Sequence, residues 1–368
     1  MLDQIISLLQ ESFTVIDFST KKGEVEILDA SSGTTESVKV RLNTKSFDVL
    51  AKNKENCLIV KYVENIENFS KEKSLELLNI AKLLDATPLI MGNRNRNGLL
   101  EPNVVYNRYS VNVVNYTTLS NVLEYDQQPQ IYSKRGGYFV QLKGEEFKEM
   151  RQNRNFSLQD IARKLEVTQK SIYEYEHDMK TRKVYVDALA ELFEIAPDDF
   201  LARFVKDINI FATIYKAHDD IIRDLSGFHK EINNRLVELG FATRWFNRSP
   251  FDMMFQDPGA QPEVKREHSI VPHSKNVFIS EISTVQQKVN KDLKELIIKE
   301  EKKIRAYITF LRKLKEVIDI KGNMVIVLDD NIFEEKEHIE GIPIIHKEEI
   351  PSENLEKLKK IIFQRKKL

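Results

Sequence analysis

The chain has 368 residues, 41% of them hydrophobic and 31% charged, with a formal net charge of -1. That length holds two or three domains, and the apolar content excludes global disorder. The single cysteine, Cys57, excludes an internal disulfide or a cysteine-cluster zinc site. Charge is unevenly spread: Lys134 to Lys183 holds 12 Lys and Arg against 8 Asp and Glu, a surplus of four that leaves the rest at -5. Because fields are screened within about 8–10 Å in physiological salt, this local sign matters more than the total.

The opening MLDQIISLLQESF is acidic and amphipathic, so no signal peptide is expected. No uncharged apolar run reaches the eighteen or so residues that a membrane span needs, and a cytoplasmic location is expected. Strands are predicted at Phe13–Phe18, Val25–Ala30, Phe47–Ala51 and Leu58–Val63. An amphipathic helix follows over Lys71–Leu84, with Leu75, Leu78, Ile80, Ala81 and Leu84 apolar. Further strands are predicted at Pro88–Met91, Val104–Tyr106 and Val111–Val114. Around GNRNRNG, Arg94, Arg96 and Arg108 are read either as phosphate contacts or as ordinary solvated loop charge.

The stretch from Gly144 to Asp178 carries the strongest local pattern. A first helix buries Phe147 and Met150. Ser157 caps a second helix, Leu158 to Leu165, with Asp160 in the capping-box position. Leu158, Ile161, Ala162 and Leu165 line its buried face, and small Ala162 suits a close helix crossing. Val167 fills a turn, and Thr168 caps a third helix buried through Ile172 and Tyr175. Two short helices complete the module, Val184–Phe193 and Asp198–Phe204, the second preceded by Pro197.

Beyond it, SPFDMMF (249–255), NVFISEIS (276–283), a helix over about 284–318, MVIVLDD (324–330), Ile342–Ile345 and a final helix repeat the order of elements seen before the module. We read this order as a diverged duplication. The helix 285–318 has a roughly heptad apolar spacing from Val289 to Ile318. A helix covering its own sheet is preferred to a coiled-coil seam. Pro250, Pro258, Pro262 and Pro272 mark a mobile loop within 247–274. His218, His229, His268 and His273 have no metal-ligand spacing, and no metal or cofactor is expected.

Phe147, Met150, Arg151, Ser157, Leu158, Ile161, Ala162, Leu165, Val167, Thr168, Ile172, Tyr175 and Glu176 follow one another as in the cro/C1 (XRE-like, phage-repressor) helix-turn-helix family, which this segment resembles. The resemblance implies a structural ion pair between Arg151 and Glu176. It also places the exposed face of the third helix, Gln169, Lys170, Ser171, Tyr173 and Glu174, in the major groove. Ser157 and Thr168 would serve phosphates, and Lys180, Arg182 and Lys183 would add positive charge. The chain departs from the family at Asn155, Glu166 and Asp178, where glycine with positive φ is common.

FDVLAKNKENCLIVKYVE resembles the restriction-endonuclease and Holliday-junction-resolvase fold, in which an Asp and a Glu-x-Lys hold Mg²⁺. Asp48 matches the first acid and Lys61 the lysine, but Ile59 replaces the second acid. In the second copy Asp252 matches, Ile279 replaces the acid and Glu281 the lysine. A ligand migrated to Glu24, Glu26 or Glu64 is the alternative, but these four positions are read as vestigial and the protein as no enzyme. With FDVLA…LIVKYVENIE…PLIMGNRNRNG before the helix-turn-helix, the whole resembles an archaeal group of cro/C1-type transcriptional regulators.

The expected fold class is α/β plus all-α: a central five-helix domain (131–205) between restriction-endonuclease-like α/β units at 1–130 and 206–368, the latter with a helical connector. The expected partner is double-stranded DNA, bound by a homodimer with no membrane role. No small-molecule effector is named by the sequence. The rival readings are a Mg²⁺-dependent nuclease and a nucleoid-associated protein with little sequence preference.

Overall fold

Strand-forming residues alternate with amphipathic helices over most of the chain, and the computed structural model arranges them as a mixed α/β protein. It describes residues 1–19, 24–28, 35–39, 46–84, 86–177, 179–212, 225, 227–246, 252–256, 277–283, 304–305, 308–309, 312, 323–328, 337–351 and 354–366. There are two compact units. One takes Met1–Val60, Leu75–Thr87 and Tyr215–Leu368; the other takes Lys61–Ser74 and Pro88–Ile214. This division crosses the linear boundaries at 130 and 205.

The chain opens with α1 (Leu2–Gln10), which buries Ile5, Ile6, Leu8 and Leu9 along one stripe. Strands β1 (Thr14–Asp17), β2 (Glu24–Leu28), β3 (Thr35–Lys39), β4 (Val49–Lys52) and β5 (Cys57–Asn65) follow. They pair antiparallel: β4 with β1 and β5, β1 with β2, and β2 with β3. The helix predicted at 71–84 is α2 (Lys71–Leu83), and Leu77, Ile80 and Ala81 are its fully buried apolar residues.

The strand expected at 88–91 is longer, β6 (Thr87–Asn95), and turns tightly into β7 (Gly98–Leu99). The turn is local: Asn95 Oδ1 accepts the Asn97 N–H at 2.7 Å, an Asn-mediated bend inside a segment read as loop. Strands β8 (Val104–Arg108) and β9 (Val111–Val114) precede α3 (Tyr116–Tyr125), whose cap Asn115 accepts from Thr118 N–H. β9 runs parallel to β6 and antiparallel to β8.

Next come β10 (Ile131–Lys134) and β11 (Gly137–Gln141), then α4 (Gly144–Asn153), α5 (Leu158–Lys164) and α6 (Gln169–Tyr175). Strand β12 (Lys180–Arg182) leads into α7 (Lys183–Phe193) and α8 (Pro197–Phe204). Phe147, Ile161, Ala162, Leu165, Ile172 and Phe193 belong to one core, shared with Val140 and Leu142 beside the helices. Met150, Leu158 and Val167, expected inside, pack against this core half-buried.

The last part holds α9 (Gly227–Glu238), β13 (Ala242–Trp245), β14 (Met253–Gln256), β15 (Val277–Ser283), β16 (Asn323–Leu328), β17 (His338–Ile339), β18 (Ile342–His346) and α10 (Leu355–Arg365). Its sheet order is β13-β14-β15-β16-β18-β17. Of the expected 284–318 helix, Ile304, Arg305, Ile308, Thr309 and Arg312 are described and helical. Ile304 and Ile308 are buried with Ile326, Ile342 and Ile344, the packing of a helix on its own sheet. The rest of that helix, and the expected loop 247–274 except Asp252–Gln256, lie outside the described residues.

This last part and the first share a detailed register. Asp17 lies opposite Val49 and Trp245 opposite Met253. Val49 lies opposite Val60 and Met253 opposite Ser280. Phe18 N–H donates to Asp48 O at 2.9 Å, and Phe246 N–H to Asp252 O at 2.8 Å. Downstream, β16 is parallel to β18, which pairs antiparallel with β17, as β6 is parallel to β9 and β9 antiparallel to β8. The hairpin β2–β3, of which β3 was not predicted, is an addition of the first set.

Gly92 in β6 sits where any side chain would collide. A Cβ there would lie 2.5 Å from Ile66 Cγ2, 2.9 Å from Leu100 Cδ1 and 3.1 Å from Val113 Cγ1. Gly92→Ala is expected to destabilise the protein by about 1–3 kcal/mol, as overpacking does. Urea unfolding checks this; an unchanged midpoint would show that the neighbours yield freely.

Candidate nucleic-acid interface

The geometry of the helix-turn-helix begins at its caps. Ser157 Oγ accepts the Asp160 N–H at 3.1 Å, and the Asp160 carboxylate accepts the Ser157 N–H at 2.9 Å and its hydroxyl at 2.6 Å. These donors, the Ser157 hydroxyl first, hold the Asp160 carboxyl below the usual range. At the next helix, Thr168 Oγ1 accepts the Ser171 N–H at 3.1 Å and lies 2.9 Å from Ser171 Oγ. Both caps thus satisfy donors that a helix start leaves open. The Ser157 hydroxyl proton is donated to Asp160.

Between the caps the chain reverses through Glu166, with φ of 54°, and Asn155 before α5 has φ of 59°. The left-handed geometry that usually calls for glycine is kept with other side chains, at a cost of roughly 1–2 kcal/mol for a residue like Glu166. Asp178 lies outside the described residues.

Arg151 holds the module in register. Its Nε and Nη2 donate to the two oxygens of Glu176, the second at 3.2 Å, and its Nη1 donates to Phe156 O at 2.9 Å. The two side chains are 11% and 4% exposed. One guanidinium on α4 therefore ties the residue that ends α6 and the turn that precedes α5.

The outward face of α6 then follows from helical geometry. Gln169, Lys170 and Tyr173 are exposed, while Ser171 and Glu174 are half-buried. Lys170 Nζ lies 3.8 Å from Glu174 Oε1, and the Tyr173 ring stacks on His177 at 4.0 Å. Lys183 pairs with Asp187 at 3.4 Å on the first turn of α7. Lys180 and Arg182, expected to add positive charge, lie on β12, which pairs with the edge of β11. Sequence reasoning passed over Lys134 and Arg135, which sit at the β10–β11 turn. The signal was present in YSKRGGYFV, where Gly136–Gly137 interrupt an aromatic, alternating stretch.

The arginines near 92–108 have acidic neighbours. Arg94 lies 3.6 Å from Glu64, and Arg108 3.0 Å from Glu67. Glu64 also accepts from Tyr62 Oη and from Asn93 Nδ2, and these bonds hold its carboxyl below the usual range. Burial and this carboxylate push the Tyr62 hydroxyl up to about 12.

At the positions matched to nuclease chemistry, Asp48 donates its backbone N–H to Val60 O at 2.8 Å, and Lys61 is the next residue on β5. Ile59 is completely buried and pairs with Leu50. Ile279 pairs with Met254, and Glu281 with Ile326. Among the described residues no group of three or more His, Cys, Asp or Glu is placed to hold a metal ion. Ile59 brings no oxygen ligand to its position on β5, so a Mg²⁺ ion beside Asp48 would need its oxygens from other residues.

The class is defined by two domains. Residues 24–129 match the PD-(D/E)XK superfamily domain, and residues 144–203 match a helix-turn-helix domain. A protein of Methanocaldococcus jannaschii, provisionally named an HTH-type transcriptional regulatory protein, is 30% identical over 310 residues, 84% of this chain and 85% of its own. Similarly named proteins of Methanococcus vannielii and Methanospirillum hungatei are 27% identical over 287 residues and 36% over 163. They cover 74% and 44% of this chain and 88% and 53% of their own. No solved structure matches. The chain belongs to this archaeal family of HTH-type transcriptional regulatory proteins.

Arg151→Ala would leave the Glu176 carboxylate buried without its counter-charge. The expected loss is about 3–5 kcal/mol, the usual cost of removing one partner of a buried pair, read as a lower urea midpoint. A loss under 1 kcal/mol would mean that the pair does not hold the helices together.

Proposed function

We propose that the protein is a sequence-preferring DNA-binding transcriptional regulator that acts as a homodimer. The observation that carries this reading is the locked α5–turn–α6 pair, with Gln169, Lys170 and Tyr173 directed outward. In the major groove Gln169 can bond adenine bidentately and Lys170 guanine, while Glu174 can accept from cytosine. Thr168, Ser171, Lys180, Arg182 and Lys183 face the flanking backbone in this reading. Two copies would meet half-sites one helical turn apart. The protein would act where the DNA is, in the cytoplasm.

In the same reading 131–205 is the DNA-reading module and 1–130 and 206–368 are diverged copies of one nuclease-like ancestor, supported by their common register. They serve as positioning and dimerisation scaffolds. Gln169→Ala and Lys170→Ala are each expected to reduce discrimination between a preferred duplex, selected from a random pool, and a scrambled one by about 1–3 kcal/mol. Unchanged discrimination in both would show that α6 does not read bases.

The match to the PD-(D/E)XK superfamily favours a second reading, a metal-dependent nuclease. Ile59 in the place of an acid argues against it. Supercoiled, linear and branched DNA incubated with Mg²⁺ or Mn²⁺ is expected to remain intact. Cleavage that disappears in Asp48→Ala would overturn the scaffold role.

A further inference from the structure

The hairpin β10–β11 and the edge strand β12 form the antiparallel end of a larger sheet, which continues from β10 to the parallel strand β8, and this end has two unlike faces. Tyr132 lies opposite Phe139, and Phe139 opposite Arg182; Lys134 lies opposite Gly137, and Gln141 opposite Lys180. Cross-strand partners and residues two apart share a face. One face therefore carries Tyr132, Lys134, Phe139, Gln141, Lys180 and Arg182. The other turns Val140 and Thr181 inward, where both are buried, Val140 in the helix-turn-helix core.

The outer face gathers charge of one sign. Lys134, Lys180 and Arg182 are exposed on it, and Arg135 is exposed at the tip. Gly136 and Gly137, with φ of 100° and 121°, make the turn, and nothing lies within 4 Å of where their side chains would be. Lys180 Nζ sits 3.6 Å from the centre of the Tyr132 ring, and Lys134 Nζ 5.8 Å from the same ring. Burial, and then the neighbouring Lys134 charge, push the Lys180 ammonium below its ordinary value.

Elsewhere in this unit Lys148, Arg151, Lys164, Lys170 and Lys183 each have a carboxylate partner. Among the described residues, Lys134, Arg135, Lys180 and Arg182 have none, and neither do Lys143, Arg154 and Arg203; the first four lie together on one sheet face and its turn. Like charges gathered without counter-charge repel, and an anion bound across them relieves the repulsion. Met179 N–H bonds to Glu174 O at 3.1 Å, so β12 begins directly beside the end of α6.

We propose that this sheet face is a second, sequence-blind DNA contact, in which Lys134, Arg135, Lys180 and Arg182 take duplex phosphates beside the groove that α6 reads. The inference rests on the DNA-binding role given above. Duplex backbone is the better fit than single strand, because Lys180 covers the Tyr132 ring and Phe139 is half-buried, leaving no bare aromatic platform for bases.

The test is the double variant Lys134→Gln/Arg135→Gln, whose side chains are exposed and unpaired at the turn, beside Gln169→Ala and the parent. Equal melting temperatures check that each folds. Affinity is measured on the preferred and scrambled duplexes between 50 and 200 mM salt. Two lost phosphate contacts should flatten the slope of log K against log salt by about 1.8. The hairpin variant should therefore lose affinity equally on both duplexes and keep the parent's discrimination.

Parental affinity and slope in that variant would overturn the proposal. So would a parent that prefers single strands, with the hairpin variant losing that preference. If Gln169→Ala keeps full discrimination while the hairpin variant loses slope, the helix reading fails and this contact stands. A parent without affinity for any duplex overturns both.

Discussion

A guanidinium and a carboxylate taken out of water cost several kcal/mol each unless their geometry repays it. Arg151 and Glu176 meet that condition through two N–H donations to the carboxylate, and the Phe156 carbonyl takes a further guanidinium N–H. The fork-shaped donor admits only one arrangement of the three chain segments it touches. Apolar contacts around Ile161, Leu165 and Ile172 would tolerate small slips between α5 and α6; the ion pair does not. The rotation of α6 about its own axis, and hence which side chains face outward, depends on this pair.

The nuclease-like strands show the opposite use of a buried position. At Ile59 a completely buried alkyl side chain lies opposite Leu50. Burial of a carboxylate there without a counter-charge would be costly, and an apolar side chain avoids that cost. The last set has isoleucine at the same register position, Ile279 opposite Met254. Both sets keep the Phe-to-Asp backbone bond at the start of the strand.

Much of this was legible in the residues. Caps at Ser157 and Thr168, the period of Ile161, Leu165 and Ile172, and the Arg151–Glu176 pairing all depend on contacts within about 30 residues of chain, where local rules act. The repeated order of elements was legible because Phe-Asp and isoleucine-rich strands recur. What stayed hidden depends on partners far along the chain. Lys180–Arg182 has no intrinsic reason to be a strand; it becomes one only when β11 presents its edge. Strand β3, TESVK, is too polar to stand out and is ordered through β2. The hairpin at Gly136–Gly137 did carry a local signal, and the neighbouring helix pattern overshadowed it.

The turn between α5 and α6 shows how far a family pattern constrains backbone rather than residue type. Glu166 there, and Asn155 between α4 and α5, keep positive φ without glycine. The strain at Glu166 is of the order of a kcal/mol, comparable to the contribution of one helix cap. With Ser157, Thr168 and a core that includes Phe147 and Phe193 on either side, the module can carry that strain and still hold one conformation. A non-glycine side chain there also stiffens the unfolded chain, which offsets part of the cost. The same argument explains why the charge-dense outer face of β10–β12 can persist: its repulsion is spread over a sheet whose inner face is anchored in that same core.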